Sequence, residues 1–321
     1  MASPLDTLVT VYGGSGFLGR HVVRALAKRG YRIRVAVRRP ELAGFLQPMG
    51  RVGQIHAVQA NLRYPESVAA AAQDAEVLIN LVGILYERGR QTFESVQSLG
   101  ADAVAQAAKA RGARLVHVSA LGADEYAPSA YARTKAAGEQ LALATVPSAT
   151  IFRPSIVFGP EDDFFNKFAG LARISPVLPL VGGGHTRFQP VFAGDVANAI
   201  AAAVEGRAKS GATYELGGPE VKTFRELMEF VLHTIGRSRL LVPIPFALAR
   251  FKASFLQYMP KPLLTPDQVE LLRGDIVVSE AASREGRTFE GLGLDPVTIE
   301  SVVPSYLWRF RKTGQFGARM A

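Results

Sequence analysis

One nine-residue stretch, Val11-Tyr12-Gly13-Gly14-Ser15-Gly16-Phe17-Leu18-Gly19, constrains the fold more than any other part of the chain. A β-branched apolar run, Leu8–Tyr12, precedes it, and a helical stretch, Leu18–Arg29, follows. Gly13, Gly16 and Gly19 are spaced three apart, a variant of the dinucleotide-binding pattern. The physics asks for a tight turn at the first glycine, close backbone approach to a pyrophosphate at the second, and helix–strand packing at the third. The N-terminus of the following helix offers free N–H groups and partial positive charge to phosphates. A second strand, Arg32–Val37, completes the context that separates a nucleotide site from a plain turn. Gly13, Ser15, Gly16, Phe17, Leu18 and Gly19 are therefore expected to contact the cofactor.

Short β-branched runs and longer helical stretches alternate through the first two thirds of the chain. Leu8–Tyr12, Arg32–Val37, Gln54–Gln59, Val77–Val82, Leu115–Ser119 and Thr150–Phe158 read as strands. Leu18–Arg29, Glu66–Ala72, Phe93–Arg111 and Tyr131–Thr145 read as helices. Val191–Gly206 reads as strand then helix, and Thr213–Leu216 as one more strand. This alternation predicts an α/β fold, a Rossmann-type doubly wound parallel sheet with helices on both faces. Composition shifts after Gly217-Gly218-Pro219, and the remainder shows helical stretches and prolines but no further βαβ unit. The expected division is a cofactor domain over 1–219 and a smaller, mostly helical lobe over 220–321 that closes over the nicotinamide end.

The tip of the second strand discriminates between cofactors, because a carboxylate there accepts from a ribose 2′-hydroxyl and an arginine accommodates a 2′-phosphate. The sequence there is Val37-Arg38-Arg39-Pro40, with no acid. Arg38 and Arg39 predict NADP(H). By position, Asn61 and Leu62 after the third strand would flank the adenine. Asn80-Leu81-Val82-Gly83 at the end of the fourth would line the ribose and nicotinamide, and Pro154 ends the sixth strand beside them.

Charge is local. The 321 residues hold 37 Lys+Arg and 28 Asp+Glu, a net +9. Residues 20–39 carry eight basic side chains (Arg20, Arg24, Lys28, Arg29, Arg32, Arg34, Arg38, Arg39) and no acid. Residues 301–321 carry four (Arg309, Arg311, Lys312, Arg319), again with no acid, so the rest of the chain is slightly acidic. No nucleic-acid recognition module accompanies this charge, and no nucleic-acid partner is expected. Tyr306-Leu307-Trp308-Arg309-Phe310-Arg311-Lys312 mixes aromatics with cations, which suits an anionic membrane surface or a partner protein.

Ser119 ends the fifth strand, and Tyr131 and Lys135 lie four apart on one face of the next helix. A phenol titrates near pH 10, too high for a base at neutral pH. A nearby ammonium favours the phenolate and lowers that value. Ser119 would then hold a substrate oxygen while Tyr131 exchanges the proton. The expected catalytic set is Ser119, Tyr131 and Lys135, with Tyr131 and Lys135 also touching the cofactor.

Gly13-x-x-Gly16-x-x-Gly19, Ser119 and Tyr131-x-x-x-Lys135 together resemble the short-chain dehydrogenase/reductase superfamily, extended or atypical branch. Further words sharpen the likeness: Gly16-Phe17-Leu18-Gly19-Arg20, His117-Val118-Ser119-Ala120-Leu121-Gly122-Ala123-Asp124, and Tyr131-Ala132-Arg133-Thr134-Lys135-Ala136-Ala137-Gly138-Glu139. With Phe188-Gln189-Pro190-Val191 and Leu264-Thr265-Pro266-Asp267-Gln268-Val269, they resemble the 39-kDa accessory subunit family of respiratory complex I. That resemblance spans nearly the whole chain. It implies a tightly held NADP(H) and a role in assembling or stabilising complex I near its quinone end; other relatives in the branch are tied to ubiquinone biosynthesis. Where the superfamily often has an Asn as fourth catalytic member, this chain offers Gln97.

Other features exclude or leave open. The chain has no cysteine, which excludes disulfides, thiolate metal sites, iron–sulfur clusters and a cysteine nucleophile. His21, His56, His117, His185 and His233 show no metal-ligand spacing, so no metal is expected. Asp162-Asp163 reads as a helix start rather than a metal site, and Gly182-Gly183-Gly184 as a loop over the substrate cleft. Phe246–Met259 reads either as a helix packed on the sheet domain or as a surface-seeking amphipathic helix. No secretory signal or transit segment is visible, and runs such as Val77–Leu85 fall short of a membrane span. A cytoplasmic placement is expected, with peripheral contact on the inner face of the respiratory membrane as its variant. Two functions stay open: an accessory or assembly factor of complex I, and an active NADP-dependent reductase on a hydrophobic carbonyl or quinone-like molecule.

Overall fold

The computed structural model describes residues 4–312 and 314–316 and divides into two compact units. The first comprises the chain up to Pro154, Ala193–Leu216 and Ser279–Asp295; the second comprises Ser155–Phe192, Gly217–Val278 and the chain from Pro296 on. This differs from a single division at 219/220. Pro154 ends the sixth strand and the chain leaves the sheet there, so the Gly217-Gly218-Pro219 shift marks only one of the passages between units.

The first unit is built on seven strands: β1 (Leu8–Tyr12), β2 (Arg32–Val37), β3 (Ile55–Gln59), β4 (Val77–Asn80), β5 (Arg114–Val118), β6 (Thr150–Pro154) and β7 (Thr213–Leu216). They form one sheet in the order β3-β2-β1-β4-β5-β6-β7, with every neighbouring pair parallel. Strand order reverses between β1 and β4, the point at which doubly wound sheets bind ligands beyond their carboxyl ends. The central strands β4 and β5 are largely buried along their length, as expected when both faces are covered.

Five helices cover the sheet: α1 (Phe17–Lys28), α2 (Pro65–Ala71), α3 (Leu99–Arg111), α4 (Ala130–Thr145) and α5 (Ala193–Val204). In α1 the buried positions Gly19, Val22, Val23 and Leu26 recur at helical spacing and define one inward stripe. α1 packs on the alanine-rich α5, and Arg29 just past its end donates to Glu205 at 2.8 Å. Ser129 caps α4 by accepting from the Ala132 N–H, which fixes Tyr131 in the first turn. Gly112 at φ 62° ends α3 in the left-handed region where glycine is favoured.

The helix expected over Phe93–Arg111 is interrupted. Glu94–Ser98 forms a π-helical turn, and α3 begins only at Leu99. One extra residue in the turn pushes the Gln97 carbonyl outward against α4. There Gly138 accepts the contact: a Cβ on it would sit 2.3 Å from that oxygen. The close approach of the two helices thus depends on a missing side chain.

The second unit has its own core of phenylalanines and aliphatics, among them Phe158, Phe165, Phe188, Phe224, Leu227 and Val303. Its helices Phe224–Thr234 and Pro266–Leu271 both start in capping boxes, Thr223 with Glu226 and Thr265 with Gln268. Besides helices it contains three two-stranded sheets. Their strands are two to five residues long and one contains Pro243, so no alternation announced them in the sequence. Val157–Phe158, expected as the end of β6, pairs instead with Val191–Phe192. The basic aromatic C-terminus is packed into this unit. The Tyr306 hydroxyl donates to Asp162 at 2.5 Å, Arg309 donates to the Pro160 carbonyl and Asn166, and Arg311 donates to the Thr234 carbonyl. Arg319 lies outside the described residues.

Gly138→Ala should shift the backbone where α4 meets the π-helical turn and cost about 1–3 kcal/mol. Urea denaturation of parent and variant measures it.

Candidate active site

Because the seven strands are parallel, the residues that follow them collect along one edge of the sheet. Gly13 follows β1, Arg38 and Arg39 follow β2, Asn61 follows β3, Val82 and Gly83 follow β4, Ser119 follows β5 and Pro154 ends β6. Adjacent ends touch. The Val82 side chain lies 3.1 Å from where a Gly13 Cβ would be, and the Leu121 N–H donates to the Pro154 carbonyl at 2.9 Å.

The glycine turn has the shape its spacing predicts. Gly13 has φ +79°, and its N–H donates to the Ala36 carbonyl at 3.0 Å, tying the turn to β2. A Cβ on Gly19 would lie 2.3 Å from the Gly13 oxygen and 2.6 Å from Gly14 backbone atoms, so α1 starts directly against the turn. A Cβ on Gly16 would meet a single atom, the Gly13 oxygen at 3.2 Å, and otherwise open space. Gly16 is also the N-cap of α1 and provides no side-chain cap, which leaves the first turn's N–H groups to an anion. A pyrophosphate fits this cradle.

Arg38 and Arg39 are both exposed at the β2 tip. Arg38 is oriented by Gln91, whose side-chain oxygen accepts from it at 2.5 Å. Gln91 is a neutral partner, so the positive charge remains available, and no sequence signal marked it. Of the other basic residues between 20 and 39, Arg34 donates to the Ala71 and Gln73 carbonyls at the end of α2, and Arg20 stacks over Phe45 at 4.9 Å. Asn61 holds a local turn, its side-chain oxygen accepting from the Arg63 N–H at 3.2 Å, whereas Leu62 is turned into the core against Gly100.

α4 carries Lys135 under the ends of β4 and β5. Its ammonium is buried, donates to the Val118 carbonyl at 3.2 Å and lies 3.2 Å from where a Gly83 Cβ would be. Burial lowers its pKa from 10.5 to about 8, with Glu139 opposing the shift. Tyr131, one turn earlier, is half-buried and meets the Phe93 ring edge to face at 5.8 Å. Ser119 directly follows Val118, and its N–H donates to the Phe152 carbonyl at 2.7 Å. Its hydroxyl oxygen is buried without a hydrogen-bond partner. A buried hydroxyl normally has one, so this oxygen is poised for a ligand.

One feature of the site, the pairing of Asn80 with His117, escaped the sequence reading. Asn80 and His117, on adjacent strands, are buried polar residues inside apolar runs: Asn80 Nδ2 meets His117 Nδ1 at 3.2 Å, and Asn80 Oδ1 accepts from the Val82 N–H at 3.1 Å. Desolvation, with help from Lys135, lowers the His117 pKa to about 3, so the ring is neutral. A polar residue interrupting each strand was the available signal. Gln97, for its part, does not stand in for a catalytic amide: its Nε2 donates to the Ile84 carbonyl at 2.8 Å and its Oε1 faces the Thr134 hydroxyl at 3.5 Å. It fastens the loop after β4 to α4. Among the described residues no group of acidic or histidine side chains could hold a metal.

A glycine cradle lies at the β1/β4 switch point, with a hydroxyl, a phenol and a buried ammonium beyond β5. The family model for the NAD dependent epimerase/dehydratase family matches residues 9–217. The chain belongs to this family. It is 38% identical over 98% of its length, and 81% of the relative's, to NADH dehydrogenase [ubiquinone] 1 alpha subcomplex subunit 9, mitochondrial, of Arabidopsis thaliana. It is also 41% identical to the ceramide reductase of Caulobacter vibrioides, over 56% of each chain. Among solved structures, an NADPH-dependent quinone oxidoreductase from Escherichia coli complexed with NADPH superposes with TM-score 0.74 over 94% of this chain and 99% of that one, at 20% identity. The fold is the NAD(P)-binding fold of this family.

The lowered pKa of Lys135 carries a sign for stability. Between about 8 and 10.5 the unfolded chain holds this proton and the folded one has lost it, so stability rises with pH across that window. Lys135→Met should abolish this part of the rise while leaving the protein no less stable at pH 7. Urea midpoints for parent and variant from pH 7 to 10.5 measure both effects.

Proposed function

We propose that this member of the epimerase/dehydratase family is an NADP(H)-bearing accessory or assembly factor of respiratory complex I. Similarity over 98% of the chain to a complex I alpha subcomplex subunit carries the reading. The glycine cradle would hold the pyrophosphate through N–H groups at Ser15, Phe17 and Leu18, and Arg38 and Arg39 would take the 2′-phosphate. Two guanidiniums with no carboxylate at the β2 tip favour NADP(H) over NAD(H). The site sits on a chain in which no described helix is long and apolar enough to cross a membrane, so placement at the complex would be peripheral.

A second reading rests on one observation. Ser119, Tyr131 and Lys135 are all present, with Lys135 buried under the ends of the strands and the Ser119 oxygen awaiting a partner. Such a set suits a reductase on a hydrophobic carbonyl, quinone-like or lipid-derived, and the ceramide reductase is similar in sequence. When bound, the reduced nicotinamide supplies the hydride. Ser119 would orient the carbonyl by donating a hydrogen bond. Tyr131 would give its hydroxyl proton to the developing alkoxide, and Lys135 would stabilise the resulting phenolate.

Three outcomes test these readings. Denaturing protein purified without added cofactor should release NADP(H), and Arg38→Ala should weaken NADPH binding by about 10-fold or more while leaving NADH binding nearly unchanged. Pull-down of the native protein should recover complex I or its assembly intermediates; recovery of neither, with normal complex I levels in a deletion strain, would refute the accessory role. In the deletion strain, Tyr131→Phe should complement fully if the protein serves as a scaffold and fail if it serves as a reductase.

A further inference from the structure

Within the second unit, helix Phe246–Leu256 is packed the wrong way round for a core helix. Its buried positions are the small residues Ala249 and Ala253, while Leu248, Phe251 and Phe255 face solvent. Leu248 is 45% exposed, Phe251 64% and Phe255 65%, at positions i, i+3 and i+7 on one stripe. The pattern continues past the helix with Tyr258, Met259 and Leu263, exposed by 84%, 44% and 42%. Phe251 and Phe255 stack edge to face at 5.3 Å, forming one aromatic ridge. The helix is nonetheless fixed to its own unit. Phe246 seats its ring on Gly182, where a Cβ would come within 2.3 Å of it, and the Arg273 guanidinium covers the same ring at 4.7 Å. The ridge is therefore carried on a helix packed against its own unit.

The charge around it is predominantly positive. Arg250, Lys252 and Lys261 lie on or beside the ridge, whereas Arg237 and Arg239 are engaged with the Phe310 and Ala172 carbonyls, and the acids Asp267 and Glu270 stand on the neighbouring helix Pro266–Leu271. Arg250 reaches Glu270 at 3.4 Å, but that carboxylate is shared with Arg273 at 2.8 Å, so the patch stays positive. Lys252 and Lys261 are exposed beside the aromatics. Apolar patches on this scale mark interaction sites. Aromatic and leucine side chains on one face with lysine or arginine alongside are the composition of helices that lie in a membrane interface.

We propose that helix Phe246–Leu256 and the turn to Leu263 are a docking surface for an anionic lipid bilayer, with Phe251 and Phe255 inserted among the acyl chains and Lys252 and Lys261 at the headgroups. This differs from the C-terminal cations, since Arg309 and Arg311 are spent on hydrogen bonds inside the same unit. A second copy of the chain fits less well, because two copies would bring cations of the same sign together. The surface does not depend on which function the nucleotide site performs.

Flotation of the full chain with vesicles tests it. The protein should float with vesicles of phosphatidylcholine containing about one third phosphatidylglycerol, and much less with phosphatidylcholine alone. Phe251→Ser/Phe255→Ser should lower the bound fraction at least about 10-fold. Lys252→Glu and Lys261→Glu should each lower it about 5-fold or more, in a manner that added salt reproduces in the parent. These side chains are largely exposed, so unchanged circular dichroism and melting temperature are expected. A Phe251→Trp variant lacking Trp308 (Trp308→Phe) should be quenched by brominated lipid in anionic vesicles. Failure of the parent to float, equal flotation of the Phe251/Phe255 variant, or absent quenching would overturn the proposal. A parent that instead dimerises through this face, with the dimer lost on Phe251→Ser/Phe255→Ser and no flotation, would overturn it in favour of a second copy.

Discussion

The structure of the sheet unit depends on one backbone-to-backbone contact, where α1 begins directly on the turn that ends β1. At Gly19 there is no room for a methyl group: the space a Cβ would take is already held by the Gly13 oxygen and the Gly14 backbone. That contact sets where the helix starts, and hence where its uncapped N–H groups point. It also fixes the position of Gly13, whose N–H is tied to β2 and where a Cβ would come within 3.1 Å of the Val82 side chain after β4. Three strand ends are thereby registered around one turn. A bulkier residue at any of these points would move the anion site away from the residues that complete it.

The same device recurs where α4 meets the π-helical turn. Gly138 lets the Gln97 carbonyl approach, and the Gln97 amide in turn reaches the Ile84 carbonyl in the loop after β4. This brings Lys135 beneath the ends of β4 and β5, where its ammonium finds the Val118 carbonyl but no carboxylate in direct contact. The cost of that burial appears as its lowered pKa. A chain selected only for stability gains nothing from a buried ammonium there. The ammonium lies near an unpartnered Ser119 oxygen and a neutral His117.

Most of the first unit was legible from the sequence. Five of the six expected strands and three of the four expected helices of the first half lie within a few residues of their observed positions, because period and glycine sterics are local properties. The exceptions have physical causes. Thr150–Phe158 was one apolar run, but Pro154 ends the strand and the last two residues pair elsewhere. Phe93–Arg111 kept helical periodicity through a π-helical turn that a hydrophobic pattern does not register. The unit boundary at 219/220 was read from a single composition shift, whereas the chain passes between units more than once.

By itself the sequence determined the nucleotide turn, the wound parallel sheet and the order of the residues along its carboxyl edge. Steric exclusion at glycine, side-chain period and the parallel direction of βαβ units act over a few residues or follow from connectivity alone. Only the tertiary structure decided which polar atoms lose water and which apolar ones keep it. It buried the Lys135 ammonium, the Ser119 hydroxyl and the Asn80–His117 pair, engaged the C-terminal arginines, oriented Arg38 through Gln91, and turned Phe251 and Phe255 outward. Desolvation depends on which elements distant in the chain come to lie against a given side chain, and no local pattern carries that information.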